Sequence, residues 1–224
     1  MFITVIIPTL NEADNILMLL AQLQSLRSCG HEVIVVDGGS VDNTISLATS
    51  LADYVLTTTP GRSSQMNAGA RLAKHEILWF LHADSSLQPK IADAIIKHMS
   101  KKRVLWGRFN VRLTGHYWLF RIIERMINIR SRLTGIATGD QGIFVKKEIF
   151  FSVQGFDDLP LMEDIALSRK LKKIQRPLCL RQTLSTSSRR WEKHGVLKTI
   201  VLMWYLRLAY YLGVNPSHLH RLYK

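Results

Sequence analysis

Short apolar, β-branched runs alternate along the first half of the chain with longer stretches whose apolar residues recur three and four positions apart. Ile3–Ile7 and Val33–Val36 have the composition of buried strands. Between and after them, Asn15–Leu26 carries apolar residues at Ile16, Leu19, Leu20, Leu23 and Leu26, and Asp42–Ala52 reads as a helix with Asp42 placed to cap it. Tyr54–Thr57 predicts a short strand and Ser63–Ala73 a helix with one face of small residues. Ile77–Leu81 predicts a strongly apolar strand, and Pro89–Met99 a helix with proline in its first turn. This βαβαβαβ order predicts an α/β fold: a doubly wound, mainly parallel sheet flanked by helices.

The second half is less regular. Val104–Leu113 predicts a strand, and His116–Leu133 a long helix with Trp118, Ile122, Ile123, Met126 and Ile129 inward. Gly142–Val145 predicts a short strand, Met162–Lys173 a helix behind a loop containing Gly155 and Pro160, and Leu178–Leu184 a last strand. Gly195–Leu212 predicts an apolar helix stopping near Gly213 and Pro216. It has more apolar surface than one buried stripe needs, and Lys198 and Arg207 make it a poor transmembrane span. Packing, a homodimer contact and a place on a membrane surface all remain open for it. No repeat, low-complexity segment or linker divides the chain. One domain over residues 1–193 with a helical extension over 194–224 is the expected organisation.

A formal charge of +13 favours anionic partners: nucleotides, phosphorylated lipids, an anionic membrane surface or nucleic acid. Cys29 and Cys179 stand far apart and in no CxxC pattern, which argues against a structural disulfide or zinc knuckle and fits a reducing compartment. The N-terminus lacks a basic n-region and cleavage site, and no uncharged run reaches the roughly 18 residues of a spanning helix. A cytoplasmic protein is expected, with peripheral attachment at the inner face of the membrane left open.

Candidate chemistry clusters where predicted strands end, because the carboxyl ends of a parallel sheet form its ligand crevice. Pro8-Thr9-Leu10-Asn11-Glu12 closes the first strand; proline is expected to stop the ladder there. These side chains serve either a ligand or the N-terminus of the next helix. Asp37-Gly38-Gly39-Ser40 closes the second, as an acceptor for a nucleobase or ribose or as a tight turn. Arg62 opens a helix, where a cation is poorly placed for stability and suits a bound anion. The same segment carries Asn67. His82-Ala83-Asp84 follows the most apolar strand. A carboxylate there suits Mg²⁺ or Mn²⁺ on a diphosphate, with capping of the next helix as the alternative. Asp140 and Gln141 form a turn or a polar floor. Glu163 and Asp164 open a helix, which acids favour anyway, and one of them can act as a general base. Ser188–His194 contains Arg189, Arg190 and Trp191, a solvated helix start or a phosphate clamp.

Taken in order, VIIPTLNE, VDGGSVDNT, GRSSQMNAGA, LHADS, GDQGIFV, a GF-x-ED segment and a late RRW resemble family 2 glycosyltransferases of the GT-A fold. They resemble especially the compact bacterial rSAM/selenodomain-associated transferase 2 subgroup. The resemblance implies that Thr9, Glu12 and Asp37 contact the donor nucleotide, with Pro8, Asn11, Gly38, Asn67, His82 and Ala83 beside them and Arg62 near nucleobase and diphosphate. It implies that Asp84, the last acid of a DxD motif, holds the divalent metal, and that Asp164 of the ED motif is the catalytic base. Asp140, Gln141, Glu163, Arg189, Arg190 and Trp191 fall to acceptor or diphosphate. The chain departs from the family at His82, which replaces the first DxD acid, and in lacking the glutamine of QxxRW. The expected function is therefore metal-dependent, inverting transfer of one sugar from a nucleotide-diphosphate donor to a hydroxyl acceptor, with Mn²⁺ or Mg²⁺ as cofactor. The rival readings are a nucleotidyltransferase, disfavoured because PTLNE replaces a glycine- and arginine-rich loop, and a basic module for nucleic acid or membrane. Acids at three strand ends repel phosphates, so no nucleic-acid partner is expected.

Overall fold

The computed structural model describes residues 1–224 apart from Lys102, His116 and Lys224, with Arg190 and His194 described in backbone alone. Four parallel strands make one half of a sheet: β1 (Ile3–Thr9), β2 (Glu32–Asp37), β3 (Tyr54–Thr57) and β4 (Ile77–Phe80). β5 (Trp106–Leu113), β6 (Phe144–Lys146) and β7 (Leu178–Thr186) extend it in the order β3-β2-β1-β4-β6-β5-β7. Only β6 is reversed, antiparallel to both β4 and β5. The helices are α1 (Ala13–Ser28), α2 (Thr44–Thr49), α3 (Arg62–Leu72), α4 (Ile91–Met99), α5 (Trp118–Thr134), α6 (Lys147–Ser152), α7 (Glu163–Ile174), α8 (Arg189–His194), α9 (Val196–Tyr211) and α10 (Pro216–Tyr223).

The continuous apolar runs follow from burial on both sheet faces. Ile3, Val5, Ile7, Val33 and Val35 pack with Ile16, Leu19, Leu20 and Leu23 of α1 and with α4. Residues of the opposite parity, Ile6, Ile34 and Val36, pack with Met66 and Ala70 of α3 and with Phe150 and Phe156. Gly69 lets α3 lie close: a Cβ there would stand 2.6 Å from Ile6 Cγ2.

Pro8 does not stop the ladder. β1 continues through it to Thr9, pairing Pro8 with Val36 and Thr9 with Asp37. Strand alternation turns the missing N–H toward β4, where the bond from Leu81 N–H to the Ile6 carbonyl is the last. Pro89 precedes α4 rather than opening it, because Lys90 adopts φ +59° and the helix starts at Ile91. α2 is shorter than its pattern: Asp42 bonds Thr44 and the Ala13 N–H, and the helix begins at Thr44.

The predicted face of α5 was out of phase. Its start at His116 lies outside the described residues, and the buried positions are Phe120, Ile123, Glu124 and Ser131. Polar residues occupy the inner stripe because they satisfy strand edges: Glu124 accepts the Leu113 N–H at 2.7 Å, and Asn128 exchanges bonds with both backbone groups of Val111. Trp118, Ile122, Met126 and Ile129 are exposed instead. Pro216, expected only as a stop, opens α10. Leu206, Ala209 and Leu219 of α9 and α10 share a small core with Leu161, Met162 and Ile165 beside α7. No helix among the described residues is long and apolar enough to cross a membrane.

Gln65 joins the two strand ends that frame the crevice. It is buried, and its Nε2 donates to the Thr9 and Val36 carbonyls, each at 2.7 Å. Gln65→Leu should lower unfolding free energy by about 1–3 kcal/mol, seen as a lower urea midpoint with an unchanged slope.

Candidate active site

The chain passes from β1 to β2 on one side and reaches β4 on the other, so the crevice lies where strand order reverses, beyond the carboxyl ends. A cavity of about 340 Å³ opens there. His82 and Asp84 reach it from the end of β4, and Arg62 from the start of α3. Asp140 belongs to a 3-10 turn, Gly139–Gln141, and Glu163 and Asp164 to the first turn of α7. Arg189 and Trp191 of α8, Met203 and Arg207 of α9 and Tyr223 of α10 close it.

Two backbone donors orient Asp164: Gly139 N–H reaches Oδ2 at 2.8 Å and Ile165 N–H reaches Oδ1 at 2.7 Å. Met162, at φ +70°, turns the chain into α7 and aims both acids at the cavity. Glu163 is 6% exposed. Burial, and then the charge of Asp164, push its carboxyl up to about 7, against the pull of Arg62. Burial works against the charge on Arg62, but Glu163, Asp140 and Asp164 raise its affinity for the proton. Arg62 is an exposed residue whose charge acts on these acids, and it lines the cavity together with Arg189 and Arg207. Burial, followed by Arg62, lowers His82 below its usual value, so the ring is neutral at pH 7. Gly139 makes room for it: a Cβ there would stand 2.4 Å from His82 Nε2. Asp84 accepts a long bond from the Thr186 hydroxyl, 3.4 Å.

A second group lines the ends of β1 and β2. Asp37 is fully buried; Oδ2 accepts the Gly39 and Ser40 N–H groups at 2.8 and 2.7 Å, and the Thr9 hydroxyl donates to Oδ1 at 3.2 Å. Gly38 follows, packed on Gln65. Asn11, at φ +53°, spans to the neighbouring loop: its N–H donates to Ser40 Oγ and its Oδ1 accepts the Val41 N–H. Glu12 accepts from Asn15 Nδ2; burial raises its pKa, with Asp84 adding to and Arg189 and Arg62 opposing the rise. Glu12 thus links the two groups electrostatically.

Not every expected residue reaches the cavity. Asn67 Nδ2 and Oδ1 bond the Phe156 carbonyl and N–H, pinning the Gly155 loop to α3. Gln141 is fully buried and bonds the Thr138 N–H, with longer bonds to Phe109 and Asn128. Ala83 is buried in the core between His82 and Asp84. The Arg190 side chain lies outside the described residues. Arg207, Met203, Thr199 and Tyr223 line the cavity unanticipated, because nothing in the local pattern of α9 or α10 reports where those helices fold back. For a divalent cation, no cluster of three or more His, Cys, Asp or Glu stands ready among the described residues. Asp84 and His82, which both line the cavity, could supply one oxygen and one nitrogen ligand. That set suits a metal completed by substrate oxygens, and Mn²⁺ better than Mg²⁺.

Residues 4–153 match the family described as Glycosyl transferase family 2. The chain belongs to that family. Curated relatives include uncharacterized glycosyltransferases of Mycobacterium bovis and Mycobacterium tuberculosis, 29% identical over 117 residues, 52% of this chain and 52% of theirs. The matched region thus spans about half the length of those relatives. Among solved structures, S. aureus TarS 1-349 in complex with UDP-GlcNAc is similar at 18% identity and TM-score 0.69, over 84% of this chain and 58% of that one. The mannosyltransferase PcManGT from Pyrobaculum calidifontis, in complex with GDP-Man and Mn²⁺, is similar at 23% identity and TM-score 0.62, over 82% and 56%. These likenesses establish the expected GT-A fold.

Glu163 generates a prediction about stability. A carboxyl held at about 7 in the native state, against 4.5 when unfolded, favours folding less and less as pH rises between those values. Glu163→Gln should therefore melt above wild type by an amount that opens from pH 4.5 and levels off past 7, on the order of 1–3 kcal/mol. Thermal melts across that range check it.

Proposed function

We propose that this glycosyltransferase moves one sugar from a nucleotide-diphosphate donor to a hydroxyl acceptor with inversion at the anomeric carbon. The observation that carries the reading is the meeting of Asp84, Arg62, Glu163 and Asp164 around one cavity at the switch point of the sheet. In this reading the nucleoside lies over the ends of β1 and β2, near Thr9, Glu12 and Asp37, which stand outside the cavity lining, and the diphosphate lies near Arg62 and Arg189. The donors in complex with the two similar structures, UDP-GlcNAc and GDP-Man, support that class of ligand. A Mn²⁺ held by Asp84 and His82 would neutralise charge on the departing diphosphate. Residues 1–193 form the transferring unit in this reading, and 194–224 a helical extension over its mouth.

The chain's own groups account for the proton and the leaving charge. Asp164, held by two amides, takes the acceptor proton as the new C–O bond forms. Arg62 and Arg189 meet the negative charge that develops on the diphosphate as its bond to the sugar breaks. Glu163, protonated over part of the working range, limits the repulsion an anionic donor meets. Family membership leaves the nucleotidyltransferase and nucleic-acid readings without support.

A thermal-shift panel of nucleoside diphosphates and nucleotide sugars, with and without Mn²⁺, tests the proposal: selective stabilisation names the base, and no stabilisation by any member refutes it. Asp84→Ala should abolish the Mn²⁺-dependent part of nucleotide affinity in titration calorimetry while the melting temperature of the free protein stays near wild type. Asp164→Asn should reduce turnover by about 10²-fold or more with little change in donor affinity, as read by steady-state kinetics. Near-normal turnover would move the base to Glu163.

A further inference from the structure

A second cavity, about 200 Å³, adjoins the first between α5 and α9. Its walls are apolar: Ile123, Met126 and Ile127 on one side, Ile200, Met203 and Trp204 on the other. Trp191, Met203, Asp140 and Arg207 line both cavities, so the groove opens into the catalytic crevice. At this neck stand Arg130 and Arg207. Neither forms an ion pair within 4 Å among the described residues. Arg130 Nε and Nη2 are shut off from solvent and have no hydrogen-bond partner, and Nη1 makes one long bond, 3.5 Å, to the Ile136 carbonyl. A guanidinium so placed is costly without an anion. Burial, and then the charge of Arg207, push Arg130 down to about 10, so it remains cationic at neutral pH. Asp164 and Asp140 act on Arg130 in the opposite sense, yet neither pairs with it directly. Around the groove, Trp118, Ile122, Ile129, Val201, Trp204 and Leu208 are exposed.

We propose that the acceptor is a phosphate-bearing lipid: its tail lies in the groove between α5 and α9, its phosphate at Arg207 with the buried charge of Arg130 behind it, and its head-group hydroxyl at Asp164. This rests on the transferase reading. The apolar walls of the groove, Arg207 lining both cavities, and Asp164 in the catalytic cavity alone follow the order tail, phosphate, hydroxyl along such a lipid. A soluble phosphorylated acceptor would satisfy the arginines but leave the apolar walls unused. A neutral lipid would fill the walls but bring no anion to Arg207. The exposed aromatic and aliphatic rim suits the bilayer surface from which the lipid is drawn, and the net charge of +13 favours an anionic one. In the transfer the head-group oxygen bonds the anomeric carbon and its proton passes to Asp164. The bond from that carbon to the diphosphate breaks, and its electron pair leaves with the nucleoside diphosphate.

The test uses the full chain, a donor chosen by thermal shift, and labelled sugar. Acceptors are short-chain phosphatidylglycerol and phosphatidylinositol, glycerol phosphate as the head alone, and diacylglycerol as tail and hydroxyl without phosphate. The expected result is transfer to a phospholipid with kcat/KM at least about tenfold above both partial acceptors. Arg207→Gln and Arg130→Gln should each raise KM for that lipid by about 30-fold or more. Trp204→Ser, at a site 61% exposed and so safe for folding, should narrow the preference for lipid over glycerol phosphate. Equal use of glycerol phosphate or diacylglycerol, or arginine variants with unchanged KM, would overturn the proposal. Nucleotide binding with no transfer to either phospholipid would overturn it and leave the transferase reading standing. Absence of any nucleotide shift would overturn the transferase reading itself, and this one with it.

Discussion

Five carboxylates at one end of a sheet, Glu12, Asp84, Asp140, Glu163 and Asp164, are the constraint on which the rest of the site depends. In a chain with 30 basic and 17 acidic residues they gather where an anionic donor is proposed to bind, so each needs a compensating interaction. The structure supplies different ones. Asp164 takes two backbone amides, Asp84 a hydroxyl, and Glu163 a pKa near neutrality. Arg62 acts on four of them, Glu12, Asp140, Glu163 and Asp164, and so offsets much of their mutual repulsion. Its place at a helix N-terminus, unfavourable for the helix alone, is explained by this environment.

Most of the first half of the fold was legible in the chain because its strands are buried on both faces and its helices on one. β-branched runs and three-four spacing then report structure directly. The crevice was legible for the same reason: an abrupt change from apolar to polar at Thr9, Asp37 and His82 marks strand ends, and strand ends mark the ligand site of a parallel sheet. Pro8 was misleading because its cost depends on which neighbour its missing N–H faces, and that is a property of the sheet.

The second half resisted for a different reason. α5 turns buried Glu124 and half-buried Asn128 to the edge of β5 and leaves Trp118 and Met126 outside, so of the apolar positions expected inward only Ile123 is buried. Asn67 and Gln141 carry the residue types of a binding site, yet both spend their amides on the backbone of neighbouring loops. A polar side chain near a motif is ambiguous until its backbone partners are known, because buried peptide groups compete with ligands for the same donors and acceptors.

The misassigned face of α5 and the surplus apolar surface of α9 are one observation rather than two. Each helix has more apolar residues than its own packing uses, and part of the excess, Met126 on α5 and Trp204 on α9, lines the groove beside the catalytic cavity. Arg130 and Arg207 sit where that groove meets the acids, so the transition from apolar to charged recurs here across space, as it does along the chain at each strand end. α9 and α10 are held there by a core shared with the start of α7, the same turn that presents Glu163 and Asp164. Displacement of α9 would therefore disturb the carboxylates as well as the groove. The extension and the sheet thus line one cavity, and in the proposed reading the helices set what enters and the strand ends set what is done to it.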